Sequence, residues 1–128
     1  MPAAKVPAGD VGSAIIAAVK DYTESVIASM RVEIDAAAVD IKRDIVAHSP
    51  ALTGRYRKGW RVYKRDTSTI AQRIVHNATD YQLVHLLEHG HAKRGGGRVP
   101  AKPHVAPATE PRIQKMEANI RRIIENGG

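Results

Sequence analysis

The feature that most constrains the fold is a long stretch, from Ser13 to Ser49, that contains neither proline nor glycine. Apolar residues recur through it at steps of three and four, the spacing of one helix face, at Ile15, Val19, Tyr22, Val26, Met30, Ile34, Ala37, Ile41 and Ile45. Asp10 or Ser13 can cap the start, and Pro50 ends the run because the residue before a proline disfavours helical geometry. We therefore predict one helix within residues 10–49, of up to about 36 residues and so about 54 Å long at 1.5 Å per residue.

This helix is too long for the domain that the rest of the chain can build. A compact domain of 128 residues has a radius of gyration of about 14 Å, so the helix either overhangs its own domain or kinks. An ordinary amphipathic core helix with a break is the alternative. The hydrophobic 43% of the chain includes 19 Ala and only 4 Leu, and Ala gains little from burial. Together these features indicate a chain that completes its burial against copies of itself or another partner.

Positive charge is concentrated in the middle of the chain. The net charge is +7, and residues 51–104 hold 11 basic and 3 acidic residues. Such a field indicates nucleic acid, an acidic protein surface or a negatively lined pore as partner. The absence of Cys excludes disulfides and zinc–thiolate sites. No segment has the ~18 uncharged apolar residues of a membrane span or the pattern of a signal peptide, so we expect no membrane partner and a cytoplasmic origin.

The remaining segments predict an α+β fold in a single domain over residues 10–128. Pro2, Pro7 and Gly9 indicate a disordered arm over residues 1–9. After the long helix we expect a small antiparallel sheet made by a hairpin over 55–76, with strands Arg55–Arg65 and Thr69–His76 and a possible extra strand. A short helix over Tyr81–Glu88 follows, which Gly90 ends, and then a mobile basic loop over 91–103. The chain continues through an extended Pro103–Pro107 segment into a C-terminal helix over 109–126, with Pro111 in its first turn.

Groups that could carry chemistry are few. His85 and His89 are four residues apart, with Glu88 between them, and such a pair on a helix can share a metal ion or serve in acid–base chemistry. The second histidine lies at the helix end and no distant cluster has ligand spacing, so solvent-facing or interface histidines are the simpler interpretation. We predict no catalytic residue, no metal site, no cofactor and no enzymatic activity. A metal-dependent hydrolase built on these three residues is the minor alternative.

Basic and aromatic residues alternate along the first predicted strand. They are Arg55, Tyr56, Arg57, Lys58, Trp60, Arg61, Tyr63, Lys64 and Arg65. Strand geometry would place Arg55, Arg57 and Arg61 on one face, where basic groups beside aromatic rings can hold phosphates and stack bases. A solvated sheet face whose Lys and Arg protect an edge is the alternative. A small basic nucleic-acid-binding module is therefore the second hypothesis for function.

The order of short motifs in the chain resembles a known family. The motifs are the turn Ser49-Pro50-Ala51-Leu52-Thr53-Gly54, then Tyr81, Glu88 and Gly90, and then Pro103, Pro107 and Ala108 at the step into the last helix. Over residues 12–125 this order resembles the small neck and tail-completion (minor tail) proteins of long-tailed bacteriophages, the siphoviruses, related to the gene-ten product of a lambda-like coliphage. Three positions depart from the family pattern: Tyr56 replaces a common Leu, His104 replaces the usual Phe, and His89 stands where an aromatic residue precedes the glycine.

The resemblance implies a structural role in the virion, with no enzymatic activity. Proteins of this family form homo-oligomeric rings at the head–tail junction, around the channel that the genome crosses. Their neighbours are head-closure or connector proteins and tail terminator or tail-tube proteins, and assembly takes place in the host cytoplasm. If the basic loop faces the channel, Arg94, Arg98 and Lys102 are expected to contact passing DNA non-specifically through its phosphates.

Overall fold

The computed structural model describes residues 11–128, so the predicted arm over residues 1–9 lies outside the described residues. The elements in chain order are α1 (Val11–His48), α2 (Arg55–Lys58), β1 (Trp60–Asp66), β2 (Ala71–Asn77), α3 (Tyr81–His89), β3 (His91–Ala92), β4 (Arg98–Val99) and α4 (Ala106–Asn126). This order confirms the predicted α+β class, with a long first helix, a small antiparallel sheet, a short helix and a C-terminal helix.

Helix α1 is a single helix of 38 residues, about 57 Å long. Its buried residues, Val26, Ala37, Ala38, Ile41 and Ile45, begin only in the middle of the helix. Residues 11–21 are exposed almost throughout. The end of α4 lies beside Tyr22, whose hydroxyl donates to the Ile124 carbonyl at 2.6 Å. The first turns of α1 therefore extend beyond the rest of the described residues, as the length argument predicts.

Helix α4 and the β1–β2 hairpin pack on different sides of α1. Helix α4 runs antiparallel to α1, so that Arg112 contacts Asp40 and Asp44, while Asn119 near the other end donates to Glu33. The hairpin packs on another face of α1, where the Arg73 guanidinium binds Asp35. Residues 33, 40 and 44 project from α1 on nearly the opposite side to residues 27, 31 and 35, because consecutive helical residues are rotated by about 100°. The result is three layers, with α1 in the middle.

The first strand begins later than predicted. Gly54 has φ +88°, and the chain then makes the helical turn Arg55–Lys58, which buries Tyr56. The strand starts at Trp60, which pairs with Asn77, and the hairpin covers 60–77 rather than 55–76. The prediction that strand geometry aligns Arg55, Arg57 and Arg61 on one face is therefore wrong.

The last helix begins earlier than predicted. It starts at Ala106 rather than Thr109, with Pro107 in its first turn, so Pro111 lies inside the helix. The first backbone N–H groups of this segment are bound by Glu88, and this external partner lets the helix start before a local capping residue. The prediction, which takes Pro111 as a first-turn residue, therefore places the start of the helix about one turn too late.

The glycine-rich segment over 91–103 contains a minimal hairpin. His91 pairs with Val99 and Ala92 with Arg98, and the Lys93 amide donates to the Gly97 carbonyl at 2.9 Å. The additional strands thus form a second two-stranded sheet, and none is added to β1–β2 in the described residues. The mobility of this segment stays a prediction.

The main apolar cluster lies at the C-terminal end of α1. It consists of Ile41, Ile45, Tyr56, Trp60 and Ala108, with partly buried residues of β2 and α3 packed against it. The cluster is small for the length of the chain because α1 extends well beyond it. None of the helices in residues 11–128 is both long and apolar enough to cross a membrane.

Candidate assembly site

Glu88 connects α3 to the beginning of α4. Its Oε1 accepts hydrogen bonds from the amides of His104 and Val105 at 2.9 and 3.0 Å, and its Oε2 accepts one from Ala106 at 2.9 Å. Burial alone would raise the pKa of this carboxyl, but the three backbone donors outweigh it and hold the pKa below the usual value. Glu88 is therefore the N-terminal cap of α4, supplied by another helix.

His104 lies completely buried beside this cap. Its Nδ1 is 2.8 Å from the Lys102 carbonyl, which can only accept, so Nδ1 carries a proton. Its Nε2 is 2.6 Å from the Tyr56 hydroxyl. Burial, together with the charges of Glu88 and Asp80, raises the pKa of Tyr56 to about 12. The hydroxyl thus keeps its proton at neutral pH and forms a buried hydrogen bond with Nε2.

Trp60 completes this buried junction. The rings of Tyr56, Trp60 and His104 meet edge to face, with centroids 5.5 to 6.2 Å apart, the favoured geometry for aromatic pairs. The Trp60 Nε1 donates to Ser49 Oγ at 3.1 Å, and that hydroxyl donates to the Ile45 carbonyl. Because these polar groups bind one another, the junction fixes the relative positions of α1, β1, α3 and α4 and leaves no free reactive group.

The predicted family-motif residues lie at the junction only in part. Ala108 is buried in the apolar cluster, and Pro103 and Pro107 flank the segment that Glu88 caps. Gly90 ends α3 with φ +74°, and a Cβ there would lie 2.6 Å from the Val99 carbonyl oxygen. Gly54 supplies the turn before Tyr56, also at positive φ. Thr53 and Tyr81 are exposed, and the structure does not bring them to the junction.

Asn77 is a structural residue that sequence reasoning missed. Its Nδ2 donates to the Tyr56 carbonyl at 2.8 Å, and its Oδ1 accepts from the amides of Thr79 and Asp80. It thereby holds the end of β2 against α2. Gly59 allows this approach, since a Cβ there would lie 2.1 Å from Thr79 Oγ1. The sequence Asn77-Ala-Thr-Asp80 is a turn signal of the Asx type, and that signal could have identified Asn77.

The histidine pair does not form the site that the hydrolase alternative requires. His85 and His89 are exposed on α3 with ring centroids 4.8 Å apart. Both oxygens of Glu88 are bound to the start of α4 instead. Within residues 11–128, no three His, Asp or Glu side chains converge where they could hold a metal ion.

Two exposed surfaces remain as candidates for assembly. The first is the overhang of α1, where large apolar side chains face solvent, Ile15 at 58% and Val19 at 59% exposure. The second is the β3–β4 hairpin and the irregular segment that follows it, which carry Arg94, Arg98 and Lys102, all exposed. In the part of the chain that the structure describes, none of these three cations pairs with a carboxylate.

The family of the chain follows from a comparison with known proteins. Residues 13–90 match the family described as "Bacteriophage HK97-gp10, putative tail-component". The match spans α1, the β1–β2 hairpin and α3, and it ends at Gly90, so the Pro103–Ala108 step lies outside it. No curated protein and no solved structure matches the chain. The matched residues are more than half of the chain and confirm the resemblance drawn from its motifs: the chain belongs to the HK97-gp10-like family of bacteriophage tail components.

Proposed function

We propose that this tail component is a ring-forming subunit at the head–tail junction, where it completes the neck and joins head to tail around the DNA channel. Its role is structural and it catalyses no reaction. Its neighbours in the virion are a head-closure or connector protein on one side and a tail terminator or tail-tube protein on the other. The single observation that carries this proposal is the overhang of α1, whose large apolar side chains are exposed in the structure of residues 11–128.

The apolar stripe of the overhang is continuous with the packed stripe of the same helix. Val11, Ile15, Val19 and Tyr22 follow one another at steps of three and four and lead directly to Val26, which is buried. Burial of each large aliphatic side chain stabilises an assembly by roughly 1.5–3 kcal/mol. A helix segment of three turns is marginal without a partner. A neighbouring subunit would supply that partner, and contacts repeated from copy to copy close into a ring.

The basic β3–β4 hairpin is the surface that we propose to face the channel. Its glycine tip lets the ribbon project, and its cations are not neutralised by carboxylates of residues 11–128. Non-specific contact with duplex DNA requires only phosphate charge and no base-reading geometry.

The channel contact is tested by replacing Arg94, Arg98 and Lys102 with Gln in the phage. Assembly should be normal, while genome retention or ejection changes. A control carrying Lys42→Gln, Lys58→Gln and Lys115→Gln should behave as wild type. Unchanged retention and ejection in the first variant would remove the channel contact from the proposal.

The nucleic-acid-binding alternative loses most of its aromatic residues in the structure. Tyr56 and Trp60 are buried and cannot stack on bases. Several of the cations are also engaged internally: Arg55 pairs with Asp80, Arg57 donates to the Ser49 carbonyl, and Lys64 lies near Asp35. Of the predicted surface, Arg61, Tyr63 and Arg65 remain exposed on the hairpin.

Light scattering and negative-stain microscopy of the purified chain separate the two functions. A ring subunit should give closed rings of uniform size at high concentration. A nucleic-acid module should remain a monomer whose DNA affinity falls steeply as salt rises. A monomer with that salt dependence would contradict the proposed function.

A further inference from the structure

The outer face of the β1–β2 hairpin is a basic surface with an apolar centre. Six exposed residues point away from α1 and form three cross-strand pairs, Arg61 with His76, Tyr63 with Ile74, and Arg65 with Gln72. The hairpin's own carboxylate, Asp66, is bound instead to Arg73 and Arg31 beside α1. In the described residues, neither Arg61 nor Arg65 pairs with a carboxylate. Within residues 11–128, Arg61 donates only to the carbonyls of Lys58 and Trp60, which are neutral. The positive charge of this face is therefore not neutralised within the described residues.

The outer face of α4 has the complementary composition. Glu110, Ile113, Glu117 and Ile124 follow at helical spacing and are all exposed, Ile124 at 46%. Neither glutamate pairs with a cation in the described residues. Arg121 follows one turn after Glu117 and ends the acidic stretch. This stripe points away from α1, because Arg112 and Asn119, which contact α1, lie on the other side of α4.

The two faces lie on opposite sides of the three-layer molecule. The hairpin and α4 flank α1, and each turns its outer face away from it. Glu110 and Glu117 are about 10 Å apart along the helix, with Ile113 between them. Arg61 and Arg65 are about 13 Å apart along the strand, with Tyr63 between them. Arginine side chains are long and flexible enough to absorb the difference.

We propose that the outer face of the hairpin in one copy binds the outer face of α4 in the next copy. The contact joins two different surfaces, so it is head-to-tail and repeats from subunit to subunit. Glu110 and Glu117 receive the two arginines, while Ile113 packs against Tyr63 and Ile74. This inference rests on the proposed ring function and specifies which surfaces form the ring.

Disulfide trapping tests the contact directly, because the chain contains no Cys. Gln72 and Gln114 are exposed at the margins of the two faces, so the variant with Gln72→Cys and Gln114→Cys should form a ladder of cross-linked dimers, trimers and higher species on oxidation. The two cysteines lie on opposite sides of one molecule and cannot pair within it. A control with Gln72→Cys and Val32→Cys, which places the second thiol on exposed α1, should give at least tenfold less cross-linked product.

Charge reversal in the cysteine variant provides the second arm. Reversing the hairpin face (Arg61→Glu with Arg65→Glu) or the α4 face (Glu110→Arg with Glu117→Arg) should each reduce the ladder at least tenfold. The chain that carries all four charge reversals should form the cross-linked ladder again. Reversal of Lys58 to Glu, at an exposed position outside both faces, should leave the ladder unchanged.

The outcomes separate this contact from the ring itself. Rings seen by microscopy without the Gln72–Gln114 cross-link would overturn the contact and leave the proposed function standing. Equal cross-linking of the Val32 control would also overturn the contact. Absence of both rings and cross-links at high concentration would contradict the contact and the proposed function together.

Discussion

At the scale of single residues, one hydrogen bond joins two buried polar side chains. Those of Tyr56 and His104 meet at 2.6 Å inside the core. A polar side chain at either position alone would be buried without a partner, which costs about 1–3 kcal/mol. Together they satisfy each other, so the pair is accommodated in an otherwise apolar cluster.

Replacing both Tyr56 and His104 by apolar residues should therefore destabilise the fold less than the two single replacements together. We expect Tyr56→Leu and His104→Phe each to lower the free energy of unfolding by about 1–3 kcal/mol, since each leaves one buried polar atom unpaired. The double substitution should lower the free energy of unfolding by clearly less than the sum of the two single losses. Denaturant unfolding of the four chains measures the coupling, and strictly additive losses would contradict it.

Glu88 predicts a specific dependence of stability on pH. Its pKa is lowered in the folded chain from an ordinary value of 4.5. Such a carboxylate contributes its full stabilisation above the ordinary value, and the contribution is lost as the pH falls through the lowered one. Glu88→Gln should therefore cost about 1.5–3 kcal/mol at pH 7, because hydrogen bonds to a charged group are replaced by weaker ones. Below pH 4.5 the difference in unfolding free energy between the wild-type chain and the Glu88→Gln variant should decrease.

Denaturant unfolding across this pH range checks the prediction. Glu117→Gln, at an exposed position of α4, is the matched control and should change stability little at any pH. A loss for Glu88→Gln that stays the same from pH 7 to pH 3 would show that the carboxylate does not act as the cap.

Several residues of the junction were identified from sequence, but their roles were not. Glu88, Gly90 and Ala108 stand out as motif positions. What Glu88 does depends on amides 16 to 18 residues away, and local patterns carry no information about such contacts. The hydrogen bond between Tyr56 and His104 joins residues 48 positions apart, so local sequence patterns could not predict it either.

At the scale of elements, the end of α3 depends on one glycine. Gly90 has φ 74° and ψ 172°, a region that essentially only glycine occupies. Its Cα also lies against the backbone of Val99 and Ala101. The β3–β4 hairpin can therefore fold back on α3 only if this position lacks a side chain.

Gly90→Ala should destabilise the fold by at least about 1–3 kcal/mol from backbone strain alone. Gly95→Ala is the control, because an added Cβ there meets nothing within 4 Å. Thermal unfolding of both variants measures the difference. Equal melting temperatures for the two would contradict the close approach seen at Gly90.

The two halves of α1 should differ in local stability. Residues 11–21 have few packed neighbours, whereas Val26 to Ile45 pack on α4 and the hairpin. In the unassembled chain, hydrogen exchange should be faster in the first segment by several orders of magnitude, because opening it breaks no tertiary contact. Assembly should slow that exchange. Uniform protection along the helix of the monomer would contradict the overhang.

Sequence periodicity predicted the elements better than their ends. The steps of three and four through α1 persist over many turns, which made the helix clear. The Arg55–Lys58 turn is a single helical turn beside a strand, and over so few residues Tyr56 and Trp60 fit either period. Burial of Tyr56 against His104 favours the helical turn over the strand, and His104 lies in a distant part of the chain.

At the scale of the whole molecule, the chain has a small buried apolar cluster and large exposed surfaces. Its positive excess lies in residues 51–104, and the structure divides that excess between cations paired beside α1 and cations exposed on two hairpins. The overhang, the outer face of α4 and the β1–β2 hairpin leave three sides of the subunit available to other proteins. A structural tail component can bury all three surfaces against neighbouring proteins, whereas an isolated monomer leaves them exposed.

Deletion of the gene from the phage tests the proposed joining of head to tail by this subunit. Electron microscopy of the resulting lysate should show filled heads and finished tails that remain unjoined, and supplying the wild-type chain should restore complete particles. Complete, infectious virions in the absence of the protein would contradict the account, as would tails that never form.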